Sequence, residues 1–221
     1  MVSIIIKDNG EANVIQLTYE NLWKEIKDIK GAELIIAKNW LTPLPKIKNT
    51  FVCFVEPDCL VNSGYFSSLL GHMKKGINSK RTAVMSSATA VNTWDNKFYG
   101  YLVQQTWSKP DSKNIKTKNT FVQPSKDKKS KSPYPVQIAY IPGALLRAST
   151  LRKCFDSDII QDDMVSFSHQ ISLRCWGSGD GHEVYIAPNS TYVTTDKNVN
   201  IITEPRAELG NLAETFRRRS I

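Results

Sequence analysis

No stretch of these 221 residues is long and apolar enough to cross a bilayer, and the N-terminus carries no basic-then-apolar leader. Cysteine is scarce: Cys53, Cys59, Cys154 and Cys175 match neither a metal-ligand spacing nor the framework of a small secreted domain. Cys53 falls in an apolar run and Cys175 in a helical one, the positions of buried thiols in a reducing compartment. An intracellular, cytoplasmic protein is therefore expected. His72, His169 and His182 have no triad or metal spacing among themselves, and only His182 falls near the acidic segment discussed below. Neither common glycine-rich phosphate loop is present, nor a serine nucleophile elbow. These absences count against a P-loop ATPase, a dinucleotide-dependent dehydrogenase and an α/β-hydrolase. No internal repeat is found.

What remains is an ordinary globular composition, 41% hydrophobic and 23% charged, in a chain long enough for one domain with a real core. The net charge of +8 is unevenly placed: between Lys109 and Lys131 eight lysines stand against Asp111 and Asp127. Most of the excess thus belongs to one segment, and the charge alone does not make a nucleic-acid surface. Phe121 and Tyr134 are nearly the only aromatics in or beside that segment, too few for a stacking platform, so nucleic acid is an unlikely partner.

The order of elements predicts an α/β fold. Ile4-Ile5-Ile6 reads as a buried strand, and Leu17, Leu22, Trp23, Ile26 and Ile29 as a helical stripe with Thr18 as its start. Gly31 ends that helix and Leu34–Ala37 is a second apolar strand, so this region is a parallel βαβ unit. Trp40–Asn49, with two prolines and no periodicity, reads as a loop. Phe51–Val55 is a strand covered on both faces, and Asn62 or Ser63 caps a helix carrying Tyr65, Phe66, Leu69, Leu70 and Met73.

Further strands are expected over Thr82–Ser87, Val136–Ile141 and Glu183–Pro188, with Phe98–Thr106 as a small antiparallel excursion. Helices are expected over Ala148–Cys154, over the stripe Met164, Phe167, Ser168, Ile171 and Cys175, and from about Pro205. Residues 108–135 are polar and lysine-rich, either a mobile lid or a solvated loop. The expected organisation is a domain over 1–200 and a C-terminal helix over 201–221. That helix ends on Arg217-Arg218-Arg219, which reads as a linker to further domains.

Two acidic clusters carry the candidate chemistry. Glu56-Pro57-Asp58 follows Phe51–Val55, at the end of a strand where open α/β sheets bind ligands. Pro57 keeps the backbone before it extended, so two carboxylates can converge on a hard cation, Mn²⁺ or Mg²⁺, that carries substrate phosphates. A solvated acidic turn accounts for the same residues without chemistry. The second cluster, Asp162-Asp163, opens a helix; capping explains one aspartate, and a general base explains the other. Asp163 is the better base and Asp162 the cap or acceptor-orienting residue. Gly143, in Ile141-Pro142-Gly143-Ala144, is either a tight turn or a place where backbone approaches a sugar or pyrophosphate. Arg147 and Arg152 suit phosphate or plain surface charge. Lys7, Asp8 and Asn39 follow the first two strands, whose loops line a nucleotide crevice.

Taken in order, SIII, LIIA, VCFVEPDCLVNSGYFSSLL, YIPGALLRAS, QDDMVSFSHQISLRCWGSG and VYIAPNS resemble the GT-A glycosyltransferases that use nucleotide-diphosphate sugars. The resemblance spans roughly residues 2–193 and implies a GT-A-like, Rossmann-type, mostly parallel sheet flanked by helices. It implies that Glu56 and Asp58 serve the metal on the donor diphosphate, and that Pro57, Lys7, Asp8, Asn39, Gly143, Ala144 and Arg147 line the nucleotide-sugar site. An acidic residue of the Asp162-Asp163 pair is implied as the base of an inverting enzyme. A UDP-sugar donor, a glycan or glycoprotein acceptor and a viral setting in the host cytoplasm, of the kind found in large DNA viruses of algae, belong to the same resemblance.

Three departures stand out. Glu56 replaces the usual aspartate, which leaves ribose or metal-bound water as alternative partners for it. Ala37-Lys38-Asn39 lacks an aspartate near the base. Only about fifteen residues separate the second strand from the next, so a βα unit is shortened or absent. The rival functions are a metal-dependent nucleotidyltransferase and a non-catalytic glycan- or nucleic-acid-binding protein.

Overall fold

The three apolar runs nearest the N-terminus become neighbouring parallel strands, as a βαβ unit requires. In the computed structural model β1 (Val2–Lys7) lies between β2 (Glu33–Ala37) and β3 (Phe51–Val55), with Ile5 opposite Ile35 on one side and Phe54 on the other. The structure describes residues 1–75, 82–92, 98–99, 133–136, 139, 141–154, 164–176 and 183–194.

Beyond β3 the sheet continues through β4 (Cys59–Val61), β5 (Thr82–Asn92), β6 (Phe98–Tyr99), β7 (Tyr134–Val136), β8 (Leu145–Arg147) and β9 (Glu183–Thr194). Its order is β2-β1-β3-β8-β5-β9-β4, with β6 added to β5 and β7 to β9. The five longer strands, β1, β2, β3, β5 and β9, all point the same way. The four short ones, β4, β6, β7 and β8, run against them. This is the expected GT-A-like α/β sheet, mostly parallel in its long strands, with antiparallel pieces inserted.

Each face of the sheet has its own core, which is why β1 and β3 read as unbroken apolar runs. Val2, Ile4, Ile6, Cys53 and Val55 pack on α1 (Ala12–Ile26) and α2 (Tyr65–Lys75). Ile5, Val52 and Phe54 face α3 (Ala148–Cys154), α4 (Met164–Trp176) and the loop from Trp40. Trp40, Phe54 and Phe167 form the centre of this second core, with ring centroids 5.0–5.9 Å apart. Such aromatic pairs contribute about 0.5–1.5 kcal/mol beyond their burial.

Several boundaries differ from the sequence expectation. Helix α1 starts six residues before Thr18, at Ala12, and Thr18 lies buried within it. Its buried face is Ile15, Thr18, Leu22 and Ile26, while Leu17 and Trp23 are 67% and 45% exposed. The helical period fixes the buried positions, so a threonine displaced two apolar residues from the core. The 40–49 loop holds only a 3-10 turn, Leu44–Lys46, in place of a crossover helix, yet it buries Trp40, Leu41, Leu44 and Ile47.

Ile141 is not in a strand, and Pro142-Gly143 is the turn leading into β8, so Leu145–Arg147 is the strand itself. β9 continues past Pro188 to Thr194, with a register shift opposite Ser87–Thr89 that accommodates the proline as a bulge. Of the lysine-rich segment 108–135, Tyr134 and Pro135 belong to β7. The segment up to residue 132 and the C-terminal helix over 201–221 lie outside the described residues.

Candidate functional site

The long strands all end at one edge of the sheet. β1 delivers Lys7 and Asp8 there, β2 leads to Asn39, and β3 runs straight into Glu56-Pro57-Asp58. Because β8 runs the other way, its beginning lies at the same edge: the Gly143 amide donates to the Phe54 carbonyl at 2.7 Å. Sequence order thus turns into one cluster of chain exits and one chain entry around the end of β3.

Glu56 is held from within. It is 4% exposed, and the buried Tyr192 hydroxyl accepts a hydrogen bond from its amide at 3.1 Å while donating to its Oε2 at 3.0 Å. Tyr192 lies on β9 opposite Val61 of β4, so the clasp arises where those strands pair. The Tyr192 ring rests against Gly143, whose φ is +78° and whose added Cβ would lie 2.3 Å from Cδ2 of the ring. Tyr65, from α2, donates its hydroxyl to the Gly143 carbonyl at 2.6 Å. Glycine is required here by Tyr192 and the backbone together, and Ala144 beside it is fully buried.

Helix α1 grips the acidic turn from its other side. Thr18 donates its hydroxyl to the Pro57 carbonyl, Asn21 Oδ1 accepts from the Val61 amide at 3.3 Å, and Glu25 accepts from the Gly64 amide at 2.8 Å. Residues at these spacings share one helical face, so a single polar stripe holds the chain from Pro57 to Gly64. Asp58, half-buried, sits within this held segment.

The neighbouring loops are ordered locally. Asp8 donates its amide to the Ala37 carbonyl at 2.9 Å and accepts from the Gly10 amide at 2.8 Å. Asn39 is exposed and its Oδ1 accepts from the Leu41 amide at 2.9 Å. Lys7 Nζ lies 5.4 Å from the Trp40 ring centroid, and the Trp40 indole donates to the Val55 carbonyl at 3.1 Å. Cys59 lies beneath the turn; burial pushes its thiol well up, and the Glu56 charge adds to the shift.

Lys7, Asp8, Asn39, Glu56, Pro57, Asp58, Gly143 and Ala144 therefore share one edge of the sheet. Arg147 does not join them. It pairs with Phe51 at the start of β3, its guanidinium lies 5.4 Å from the Phe51 ring and its Nε donates to the Thr82 carbonyl at 3.2 Å. Arg152 likewise turns away, to the Ile47 carbonyl. Asp162 and Asp163 immediately precede α4 in sequence and lie, with His182, outside the described residues. Sequence reasoning missed Thr18, Tyr192, Tyr65 and Trp40. Only Thr18, a polar residue at a buried helical position, carried a readable signal.

Among the described residues no group of three or more His, Cys, Asp or Glu side chains forms a metal cage. A cation carried by phosphates has a different requirement, one or two carboxylates with the remaining positions filled by water and substrate. Glu56 and Asp58, two carboxylates on one turn, are compatible with that mode.

No protein-family model and no curated protein sequence matches the chain. Solved structures do match its fold. GalNAc-T7, solved with UDP, GalNAc and Mn²⁺, superposes with a TM-score of 0.52 at 13% identity, over 88% of this chain and 43% of that one. S. aureus TarS 1-349, in complex with UDP-GlcNAc, gives 0.50 at 9% identity, over 99% and 65%. The A197 protein from STIV gives 0.52 at 9% identity, over 86% and 83%. The chain thus spans less than two thirds of the first two proteins. At these identities the likeness establishes the fold.

Proposed function

We propose that this protein is a metal-dependent glycosyltransferase, moving a sugar from a nucleotide-diphosphate donor to a hydroxyl of a glycan or glycoprotein. The observation that carries this reading is the Glu56-Pro57-Asp58 turn, held by α1 and β9 at the carboxyl end of β3 in a GT-A-like sheet. Two proteins of similar fold were solved with UDP or a UDP-sugar, which supports a uridine diphosphate donor.

In the proposed reaction the acceptor oxygen forms a bond to the anomeric carbon as the bond from that carbon to the diphosphate oxygen breaks. The electron pair leaves with the nucleoside diphosphate, and the hydroxyl proton passes to a carboxylate, for which Asp163 is the candidate and Asp162 its neighbour. Attack opposite the leaving group inverts the anomeric centre. Bound Mn²⁺ or Mg²⁺ would neutralise charge on the leaving diphosphate. Asp58 and Glu56 supply the negative charge that draws the cation there. Lys7, Asp8 and Asn39 line the crevice beside β3, and the closeness of Pro142-Gly143 to Phe54 walls it on the other side. Fixing donor and acceptor in such a crevice supplies much of the rate.

Calorimetric titration with UDP, UDP-glucose, GDP and ADP, each with Mn²⁺ and then EDTA, tests the reading on wild type and Asp58→Ala. Metal-dependent binding of one nucleoside diphosphate, lost in Asp58→Ala, is expected. Absence of binding by all four, with or without metal, refutes it.

A further inference from the structure

We infer that β2 is the edge at which two copies of this chain pair, extending one sheet across a two-fold axis. The inference is independent of the donor-site reading above. β2 ends the strand order and pairs with β1 alone among the described residues. It is an unbroken five-residue strand without proline or bulge, whereas β4, at the opposite end of the order, has three residues. Short strands, prolines and bulges are among the devices that keep sheet edges from pairing, and β2 uses none of these.

The direction of its backbone groups follows from one hydrogen bond. The Asp8 amide donates to the Ala37 carbonyl, so Ala37 faces β1. Along an extended strand the N–H and C=O of one residue point to the same side, and successive residues alternate. Glu33 and Ile35 therefore also face β1, and the N–H and C=O of Leu34 and Ile36 point out from the sheet edge. Ile36 is 49% exposed although it is apolar. It lies opposite Ile6, and Leu34 opposite Ile4, so both side chains stand on the α1 face.

This edge is complementary to itself. A two-fold axis through Ile35, perpendicular to the sheet, sets Leu34 of one copy opposite Ile36 of the other, antiparallel and on the same face. Each such pair exchanges both backbone bonds, which satisfies the outward groups of Leu34 and Ile36 in both copies. Ile35 meets its own copy on the other face. Glu33 lies opposite Ala37, with its carboxylate turned to Ser3 and Asn49. The paired strands thus set no like charges against each other, and apolar cross-strand pairs are favourable. Such an isologous contact closes at two copies.

Helix α1 adds to the same surface. Its stripe of Thr18, Asn21 and Glu25 faces the acidic turn, and the helical period puts Tyr19 and Trp23 on the other flank, toward β2. Their rings are stacked, 6.4 Å apart at 12°, and Trp23 is 45% exposed. Across the axis this pair meets its counterpart on the second α1, and tyrosine and tryptophan are typical interface anchors. The two acidic turns then open at opposite ends of one continuous sheet.

The test is sedimentation velocity over about 1–100 μM protein, with hydrogen exchange read at the Leu34 and Ile36 amides. A species of twice the 24.9 kDa chain mass is expected. Both amides should exchange about tenfold more slowly at the upper concentration than at the lower. Ile36→Pro removes only an outward N–H, and Ile36→Lys sets a charge at the edge. Both variants are expected to stay folded by circular dichroism and to be monomeric over the same range, while Leu17→Lys, elsewhere on α1, remains dimeric. A monomeric wild type at the highest concentration overturns the inference; slow exchange of its two amides would then mean that another segment of this chain covers the edge. A dimer that survives both Ile36 variants overturns it too, because its interface lies elsewhere. So does a wild-type dimer whose Leu34 and Ile36 amides exchange fast at every concentration, a result that needs no variant.

Discussion

The ring of Tyr192 occupies the space that a side chain on Gly143 would need, with Cδ2 2.3 Å from the ideal Cβ position. Gly143 also has φ +78°, a conformation that L-residues adopt at a cost of about 1–2 kcal/mol. Gly143→Ala combines this strain with overpacking of about 1–3 kcal/mol. A loss of stability of about 2–5 kcal/mol is expected in urea denaturation, and a loss below about 1 kcal/mol would contradict the packing described.

Thr18 tests the grip of α1 on the acidic turn. Thr18→Val keeps shape and burial but removes the donor to the Pro57 carbonyl. A stability loss of about 1–2 kcal/mol is expected. The affinity for Mn²⁺ and nucleotide should fall further than in a surface variant of α1 such as Leu17→Ala, because Thr18 bonds the Pro57 carbonyl while Leu17 is exposed. Equal affinities in the two variants would show that the turn keeps its shape without the helix.

Arg147 separates geometry from sequence resemblance. It pairs with Phe51 at the end of β3 remote from Asp58. Arg147→Met is therefore expected to leave nucleotide affinity within about twofold while costing about 1 kcal/mol of stability through its lost bond to Thr82. A loss of donor binding with the fold intact would return Arg147 to the phosphate site.

The buried thiols give a pH signature. Burial drives the Cys53 and Cys59 thiols above their ordinary value of 9.0 in the folded protein. Unfolded, each ionises near that value, so the unfolded state loses its proton first. Their stabilisation is complete below about pH 9 and declines above it, by about 1.4 kcal/mol per pH unit for each thiol. Urea midpoints at pH 8 and pH 10 should differ less in Cys53→Ala than in wild type. An identical difference would mean that Cys53 ionises freely in the fold.

How far the sequence is legible depends on how local each cause is. Phe51–Val55 and Ile4–Ile6 were readable because both faces are covered and every residue had to be apolar. Pro57 marked the exit of β3 for the same local reason. Thr18 was misread because a threonine ahead of apolar residues looks like a cap, and only the register of α1 shows it facing Pro57. The Glu56–Tyr192 clasp joins residues 136 positions apart, so no local pattern announces it. Arg147 depended on strand direction. Had β8 been parallel to β3 it would have emerged beside Asp58; running antiparallel, β8 brings Gly143 there instead. A strand of three residues, Leu145-Leu146-Arg147, contains no information about which way it runs.

The placement of β8 also bears on how the chain is made. β8 is wedged between β3 and β5, yet residues 56–144 separate it from β3 in the sequence. During synthesis β1, β2, β3 and α1 can assemble early, but the outer edge of β3 has no neighbour until Leu145–Arg147 leaves the ribosome. An unpaired apolar strand edge is a template for sticking to other chains, and pairings this distant close slowly. The nascent protein thus passes through an interval in which the strand that will carry its acidic turn presents an open edge. Pausing or chaperone capture in that interval would protect the open edge until β8 arrives.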